Sequence, residues 1–475
     1  MIKDNIQNRF KNLRSVYFIG IGGIGVSALA LWCLKNKIKV FGYDREATEI
    51  TKNLQFKGAT VFYEHESLSK KNSKHQNVLK SFKGKNYSIV VFSSAINKNH
   101  PIRKYFDINF VKCIKRAEFL GLISNNYKVI AISGTHGKTT ISTMLTHILK
   151  SGGIDCTAFL GGISKNYLSN FIEGDGNIMV VEADEYDKSF FYLNPNIILI
   201  SSLDRDHSDT YPTFLDMKAA YKHFVHKNRA NLSEIILKKD IQINFPEFES
   251  VFEYSIIGTA DYSLNYKKNN LGDYTISIIE RKKNSNKLNK FTEINVPFQP
   301  EYNLENFLAA SIIALRLGLS INNISLGINT FLGVKRRFEF HIRSKNQIFI
   351  EDYAHHPSEI NALIMSLRKM YKSKKITMIF QPHLYSRTKD FLYDFASSLS
   401  KVDSLILLDI YPARELPIKN FNIDNLYNLI NIDEKIFISK DNLVSYISKT
   451  KPKFLVSVGA GDVSIYSKKI KEVLV

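Results

Sequence analysis

Short apolar runs alternate along most of the chain with segments in which apolar residues recur at helical spacing. Residues 129–133, 178–181 and 197–201 are such runs, bounded by polar residues or glycine, and each is typical of a buried strand. The periodic segment after the first run ends at a glycine pair, which is a common end of a helix. The pattern predicts an α/β protein, and 475 residues are enough for about three domains.

A phosphate-binding loop is predicted at residues 134–140, Gly-Thr-His-Gly-Lys-Thr-Thr, between a strand and a helix. Loop N–H groups and the helix N-terminus attract an anion, Lys138 adds a point charge, and the Thr139 hydroxyl can hold Mg²⁺. The general motif requires a glycine at position 132, which is isoleucine here. An ordinary strand-to-helix turn is the alternative, but strand, turn, Lys-Thr pair and helix all favour a phosphate site.

A second glycine-rich turn, Gly-Ile-Gly-Gly-Ile-Gly at residues 20–25, lies between a predicted strand and a predicted helix. Asp44 ends the next strand, at about the distance seen in dinucleotide-binding folds. The turn would hold a diphosphate of unspecified identity, or would serve only close packing of helix on strand. Residues 16–34 have the hydropathy of a membrane helix, but their four glycines indicate a strand, a turn and a helix.

Acidic residues follow two of the buried strands in the middle of the chain. Glu182 follows residues 178–181, and His207 belongs to an acid-rich segment after residues 197–201. They could complete a metal–phosphate site opposite the loop, since Mg²⁺ prefers oxygen ligands, or the acids could merely cap helices. Further on, alternation over residues 252–298 predicts antiparallel strands or hairpins.

The last third of the chain repeats the strand–helix rhythm. Strands are predicted at residues 348–350, 376–380, 405–408 and 454–458, and a polar cluster follows each. Because the carboxyl ends of parallel strands meet at one edge of a sheet, these clusters predict a binding site there. Neither a Ser-His-Asp arrangement nor a cysteine nucleophile is apparent, so covalent enzyme catalysis is not indicated.

Net charge and cysteine content limit the partners. The formal charge is +20, but the lysines are scattered in an Asn- and Ile-rich sequence, which favours a solvated surface over nucleic-acid or membrane binding. Three cysteines, odd in number and far apart, argue against a disulfide framework and for a reducing compartment. We therefore expect a cytoplasmic protein without membrane insertion.

Seven motifs, in order along nearly the whole chain, resemble those of the Mur ligase family. They are residues 20–25, 134–140, 182–187, 206–207, 335–338, 352–357 and 381–388. The form Gly-Thr-x-Gly-Lys-Thr-Thr is the family's own phosphate loop, which accounts for the isoleucine at position 132. Within the family the motifs are most similar to those of enzymes that add L-alanine to UDP-N-acetylmuramate.

The resemblance implies three domains. A Rossmann-like N-terminal domain, residues 1–124, would bind the UDP-sugar. A P-loop central domain, residues 125–332, would bind ATP and Mg²⁺, and a Rossmann-like C-terminal domain, residues 333–475, would bind the amino acid. ATP would phosphorylate the carboxylate of UDP-N-acetylmuramate, and the amine of L-alanine would attack the acyl phosphate.

The resemblance also implies the roles of individual residues. Catalytic roles fall to Lys138, His207 and Arg387. The metal ligands would be Thr139, Glu182 and His207. The UDP-sugar would contact Gly20, Gly22, Gly23, Gly25, Asp44 and Ser94. ATP would contact Gly134, Thr135, His136, Gly137, Lys138, Thr139, Thr140 and Asn303. The amino acid would lie among Arg336, Tyr353, His355, His383 and Arg387.

Two departures from the family pattern leave alternatives open. Leu384 stands where many members have arginine, so binding of the alanine carboxylate would rest on Arg387, and Tyr302 replaces a histidine. The segment 182–187 also occurs in the recycling ligase that joins a tripeptide to UDP-N-acetylmuramate, which is the runner-up. A NAD-dependent dehydrogenase built on residues 20–25 would leave the phosphate loop unexplained, and a nucleic-acid binder ranks third.

Overall fold

A computed structural model of the protein describes residues 10, 12–63, 73–84, 87–206, 210–269, 273–282, 288–296, 299–413 and 415–475. Within these residues the strands form three sheets, and the helices between them make the α/β protein that the apolar pattern predicts. The predicted metal ligand His207 lies outside the described residues. No helix in the described part of the chain is both long enough and apolar enough to cross a membrane.

The first sheet is parallel, with the strand order β3-β2-β1-β4-β5. The order changes direction between β1 and β4, which creates a crevice at their carboxyl ends. Its strands are β1 (Ser15–Ile19), β2 (Lys39–Asp44), β3 (Thr60–Tyr63), β4 (Ser88–Phe92) and β5 (Cys113–Lys115), and its helices are α1 (Ile24–Lys35), α2 (Glu49–Phe56), α3 (Ser73–Lys80), α4 (Pro101–Ile108) and α5 (Arg116–Ser124).

The second sheet has a parallel centre, in the order β12-β11-β10-β6-β9-β7, with β8 antiparallel to β7 at one edge. Its strands are β6 (Lys128–Ser133), β7 (Cys156–Ser164), β8 (Ser169–Ile172), β9 (Ile178–Glu182), β10 (Ile197–Ile200), β11 (Glu234–Lys238), β12 (Val251–Ser255), β13 (Tyr262–Lys268), β14 (Tyr274–Arg281), β15 (Leu288–Lys290) and β16 (Ile294–Val296), and its helices are α6 (Lys138–Ser151), α7 (Phe214–Lys227), α8 (Tyr302–Arg316) and α9 (Ile321–Asn329).

The antiparallel prediction for residues 252–298 is only partly right. Strands β14 and β15 do form an antiparallel pair. Strand β12, however, pairs in parallel with both β11 and β13. Alternation of apolar and polar residues indicates that one face of a strand is buried, but it carries no information about the direction of the neighbouring strand.

The third sheet has the order β17-β18-β22-β19-β20-β21 and is parallel except for β17. Apolar clusters cover both of its faces. Its strands are β17 (Glu339–Arg343), β18 (Ile348–Asp352), β19 (Thr377–Phe380), β20 (Ser404–Leu407), β21 (Glu434–Phe437) and β22 (Phe454–Val458), and its helices are α10 (Pro357–Met370), α11 (Tyr385–Asp390), α12 (Leu392–Leu399), α13 (Ile423–Leu429), α14 (Lys440–Thr450) and α15 (Ser467–Leu474).

The chain divides into two compact units. The second unit holds residues 333–475 with two short pieces, 268–274 and 297–305, and the first holds the remainder up to residue 332. In the first unit, one buried apolar cluster includes residues of both sheets, among them Val16 of β1 and Val129 of β6. The limits of the three predicted domains stay a prediction.

Helix α1 explains the membrane-like hydropathy near the N-terminus. All of its residues from Val26 to Cys33 are buried. The helix contacts β2 of its own sheet and also β7 and β8 of the second sheet. The Asn170 amide of β8 donates a hydrogen bond to the Ser27 hydroxyl of α1 at 2.9 Å. A helix enclosed on several sides is apolar all round, which is the pattern that the hydropathy records.

Candidate active site

The predicted strand, turn and helix of the phosphate loop are confirmed as structural elements. Strand β6 ends at Ser133, and helix α6 begins at Lys138. Gly134 and Gly137 have φ angles of +121° and +83°, in the left-handed region that favours glycine. A Cβ on Gly137 would lie 2.6 Å from the Asn306 amide oxygen. The turn therefore depends on these two glycines.

The loop is tied to the segment that follows β10. The His136 N–H donates to the Ser202 hydroxyl at 2.8 Å, and the Asp204 N–H donates to the Thr135 hydroxyl at 2.9 Å. His136 Nε2 also lies 3.0 Å from the Asp204 carboxylate. Thr140 lies in the first turn of α6. These contacts fix the loop backbone.

The Lys138 ammonium is held on one side by acceptors. It donates to the Gly134 carbonyl at 2.6 Å and to both oxygens of the Glu185 carboxylate, at 2.9 and 3.0 Å. Burial acts to lower the pKa of Lys138, but the carboxylates of Glu185, Asp184 and Glu182 outweigh it and raise the pKa above its ordinary value. The lysine is therefore a permanent cation at the start of α6.

Thr139 and Glu182, two predicted metal ligands, are in contact. Strand β9 pairs with β6 so that Glu182 stands opposite Ile132, close to the loop. The Thr139 hydroxyl donates to Glu182 Oε2 at 2.9 Å, and the Gly161 N–H donates to the same oxygen at 3.0 Å. A hydroxyl and a carboxylate are the hard oxygen donors that Mg²⁺ prefers, so these residues fit such an ion.

Two residues near the loop were not predicted from the sequence. Glu185 binds Lys138, and Asn306 lies against Gly137. Segment 182–187 is conspicuously acidic, but nothing in its composition tells which acid faces the lysine. Asn306 follows the predicted Asn303 by one helical turn in α8, and the two fall in different compact units. Contact of Asn303 with adenine stays a prediction.

The first glycine turn lies at the carboxyl edge of the first sheet, beside the change in strand order. Gly20 has a φ angle of +81°. The Gly22 N–H donates to the Asp44 carboxylate at 2.6 Å, so Asp44 shapes the turn itself. A Cβ on Gly25 would lie 3.1 Å from Arg116. Ser94 is exposed just beyond β4. The turn continues through Gly23 directly into α1.

Four of the predicted amino-acid-binding residues gather in the second unit. The rings of Tyr353 and His355 lie 5.4 Å apart, and those of His355 and His383 lie 6.0 Å apart. Arg387 is buried, with its Nη1 atom 3.4 Å from His383 Nδ1. The Tyr411 ring stacks on the His383 ring, with the ring centroids 5.7 Å apart. The polar strand ends therefore meet at one edge of the third sheet, as predicted.

Arg336 is already engaged by its surroundings. Its Nη2 atom donates to the carbonyls of Gly459 and Gly461, at 2.7 and 3.0 Å. Its Nε atom lies 3.1 Å from the buried Glu351 carboxylate, as an ion pair without the alignment of a hydrogen bond. The guanidinium also lies over the Tyr353 ring at 4.8 Å. These contacts suit a residue that orders the edge of the site, and direct contact with an amino acid stays a prediction.

Asp352, at the end of β18, makes stability depend on pH. It accepts backbone hydrogen bonds from Phe338 and Ala354, at 2.7 and 2.8 Å. Burial raises the pKa of the Asp352 carboxyl from 3.8 to about 6, although the Arg337 charge and these hydrogen bonds act in the opposite direction. The folded protein thus binds this proton more tightly than the unfolded chain. Its stabilising contribution is complete below about pH 4 and is lost as the pH rises through 6.

We expect the urea-unfolding free energy of the wild type, minus that of Asp352→Asn, to fall by about 2 kcal/mol between pH 4 and pH 7. Asp403 is the matched control: burial acts to raise its pKa, but the hydrogen bonds from Arg368 and the Ile376 N–H, together with nearby positive charges, outweigh burial and lower the pKa. The wild-type advantage over Asp403→Asn should therefore shrink toward acid pH. A constant difference between wild type and Asp352→Asn would mean that Asp352 ionises normally.

Three models of one protein family match successive parts of the chain. They are the Mur ligase family catalytic domain at residues 15–128, the Mur ligase middle domain at 132–314 and the Mur ligase glutamate ligase domain at 336–458. The chain belongs to the Mur ligase family.

The chain is 37% identical over 467 residues to a UDP-N-acetylmuramate–L-alanine ligase of Cytophaga hutchinsonii, covering 97% of both chains. It is 38% identical over 462 residues to the ligase of the same name from Phocaeicola vulgatus, covering 96% of both.

Solved structures give the same fold. A UDP-N-acetylmuramate–alanine ligase from Thermotoga maritima matches with a TM-score of 0.79 and 25% identity, over 96% of this chain and 98% of that one. A murein peptide ligase from Psychrobacter arcticus matches with a TM-score of 0.69 and 19% identity, over 97% of this chain and 98% of that one. The predicted three-domain α/β fold is thus confirmed.

Proposed function

We propose that the protein is an ATP-dependent ligase that joins L-alanine to the carboxylate of UDP-N-acetylmuramate. The observation that carries this proposal is the identity of 37–38% to ligases of that name over almost the whole chain. The phosphate loop and the cluster at the third sheet supply the two kinds of site that such a reaction needs. A dehydrogenase would leave the phosphate loop without a use.

The phosphate loop would position ATP for transfer of its terminal phosphoryl group. Backbone N–H groups from Gly134 onward and the N-terminus of α6 attract the phosphates, and Lys138 neutralises charge on the transferred group. Thr139 and Glu182 would hold Mg²⁺, with His207 as the further ligand that the family resemblance implies. Bound there, Mg²⁺ would supply positive charge to the phosphate oxygens. Catalysis is then positioning and charge neutralisation.

The remaining residues would bring the two organic substrates into place. The turn at residues 20–25 would hold the UDP diphosphate, and Asp44 and Ser94, at the same sheet edge, would contact the UDP-sugar. The cluster around His383 and Arg387 would bind L-alanine, with the planar Arg387 guanidinium paired to its carboxylate. The bound carboxylate of the sugar accepts the phosphoryl group from ATP, the alanine amine attacks the acyl carbon, and phosphate leaves.

Phosphate release from ATP with UDP-N-acetylmuramate, varying only the acceptor, tests this proposal. We expect rapid release with L-alanine and none with the tripeptide L-Ala-D-Glu-meso-diaminopimelate. Glycine and L-serine should react with lower kcat/KM, since a missing methyl group is worth about 1–3 kcal/mol. If the tripeptide outcompetes L-alanine at equal concentration, the recycling ligase becomes the better assignment. Requirement for NAD instead of ATP would reject both.

The proposed metal site gives a separate prediction. Glu182→Gln removes the charge beside Thr139 while keeping the side chain's size, so the Mg²⁺ concentration for half-maximal rate should rise roughly tenfold or more. Glu173→Gln is the matched control, because Glu173 forms an exposed ion pair with Lys35. Identical Mg²⁺ titrations for wild type and Glu182→Gln would exclude Glu182 as a ligand.

A further inference from the structure

Glu185 forms a buried ion pair with the lysine of the phosphate loop. Its side chain is 0% exposed, and its two oxygens lie 3.0 and 2.9 Å from the Lys138 ammonium nitrogen. The lysine side chain is only 11% exposed. Both oxygens of one carboxylate thus face one ammonium group, which fixes where the nitrogen can lie.

Glu185 is itself held in place through its backbone. Its carbonyl accepts a hydrogen bond from the Tyr211 hydroxyl at 2.7 Å and another from the Lys188 N–H at 3.0 Å. Two residues earlier, the Ala183 carbonyl accepts a hydrogen bond from the Ser133 hydroxyl at 2.9 Å. The segment that carries Glu185 is therefore attached to the strand that carries the phosphate loop.

The two glutamates of this segment face different partners. Glu182 contacts the Thr139 hydroxyl, whereas Glu185 contacts Lys138. Removing one member of a buried pair leaves an uncompensated charge, which is more costly than losing the attraction alone. The position of the lysine ammonium group thus depends on Glu185.

We propose that Glu185 is the positioning residue for the phosphate-loop lysine, and that it affects nucleotide phosphates only through Lys138. The inference rests on the proposed function, because it takes ATP as the ligand of the phosphate loop. It adds a residue to which the proposed mechanism gives no contact with Mg²⁺ or a substrate. Glu185 holds the ammonium group beside the loop, where the β-phosphate of a bound nucleotide arrives.

A double-mutant cycle on nucleotide binding tests the inference. We expect Glu185→Gln to weaken ADP binding, measured by calorimetry, roughly tenfold to a hundredfold, as losses of supporting residues commonly do. Adenosine binding should be unchanged, because adenosine lacks the phosphates that Lys138 reaches. In a Lys138→Met background, Glu185→Gln should change ADP affinity less than about threefold, since residues that act through one another are not additive.

Asp187→Asn is the matched control, since it makes the same change of charge in the same loop. Asp187 pairs with Lys115 at 2.7 Å instead of Lys138, so ADP affinity should change less than about threefold. If Glu185→Gln does not fold, Tyr211→Phe carries the same test, because it removes one hydrogen bond to the Glu185 backbone. We expect Tyr211→Phe to weaken ADP binding about fivefold, and only when Lys138 is present.

Three outcomes would overturn the inference: unchanged ADP affinity in Glu185→Gln, equal losses for ADP and adenosine, or an equal loss with and without Lys138. If Tyr211→Phe is used in place of Glu185→Gln, the same three outcomes in that variant would overturn the inference. The assay needs neither the sugar nor an acceptor. A wild-type protein that binds ADP but releases no phosphate with L-alanine would reject the proposed function and leave this inference standing.

Discussion

Replacing Lys138 with methionine is expected to reduce ATP-dependent phosphate release about a thousandfold. Met keeps much of the side-chain length but removes the positive charge that the proposed mechanism places at the transferred phosphoryl group. The Glu185 carboxylate also loses the ammonium group that it contacts at 2.9 Å. Steady-state kinetics with saturating L-alanine and UDP-N-acetylmuramate measure the effect.

Binding of the UDP-sugar separates a local effect of Lys138→Met from loss of the fold. The proposed sugar site lies at the first sheet, so calorimetry should give nearly wild-type affinity for UDP-N-acetylmuramate. Lys150→Met is the matched control, because Lys150 lies in the last turn of the same helix and pairs with Asp155 at 2.6 Å. Wild-type turnover in Lys138→Met would refute the role of the lysine.

The contact between Thr139 and Glu182 could be predicted because it follows from strand direction. Both residues come after apolar runs, and the carboxyl ends of parallel strands meet at one edge of a sheet. The strand register places Glu182 opposite Ile132, near the end of β6, so that the Glu182 side chain lies close to Thr139. The cluster around His383 was predictable for the same reason.

The contact between Glu185 and Lys138 could not be predicted, because it depends on an irregular turn. Asp187 and Lys188 have φ angles of +52° and +55°, although neither is glycine. Two consecutive non-glycine residues in the left-handed region cannot be recognised from the local sequence, since tertiary contacts impose their conformation.

The edge strands of the sheets were missed for a related reason. Strand β21 has the sequence Glu-Lys-Ile-Phe, in which no residue is fully buried. Strand β8, at the edge of the second sheet, has the sequence Ser-Asn-Phe-Ile, in which buried residues alternate with partly exposed ones. Apolar runs identify strands that are covered on both faces, whereas strands at an edge need no such run.

Replacing Gly134 with alanine should eliminate ADP binding, with an affinity loss of more than about a hundredfold. At its φ angle of +121° an L side chain is strained, and the new Cβ would overlap the Ser201 hydroxyl. It would also lie 2.8 Å from the backbone nitrogens of Ser201 and Ser202, which cannot move without displacing the end of β10. The loop would then lose the geometry that directs its N–H groups at phosphate.

Gly153→Ala separates backbone strain from steric overlap at Gly134. Gly153 follows the same helix and has a φ angle of +89°, and a Cβ added there would meet no atom within 4 Å beyond its chain neighbours. Its substitution should cost only the strain of a left-handed alanine, about 1–2 kcal/mol, and leave ADP affinity unchanged. Gly134→Ala carries that strain and the overlap together, so its melting temperature should fall further. Calorimetry with ADP and thermal unfolding of both variants test this prediction. Equal ADP affinities and equal melting temperatures in the two variants would show that backbone strain alone accounts for the effect. ADP binding retained in Gly134→Ala would show that phosphate binding does not need this loop geometry.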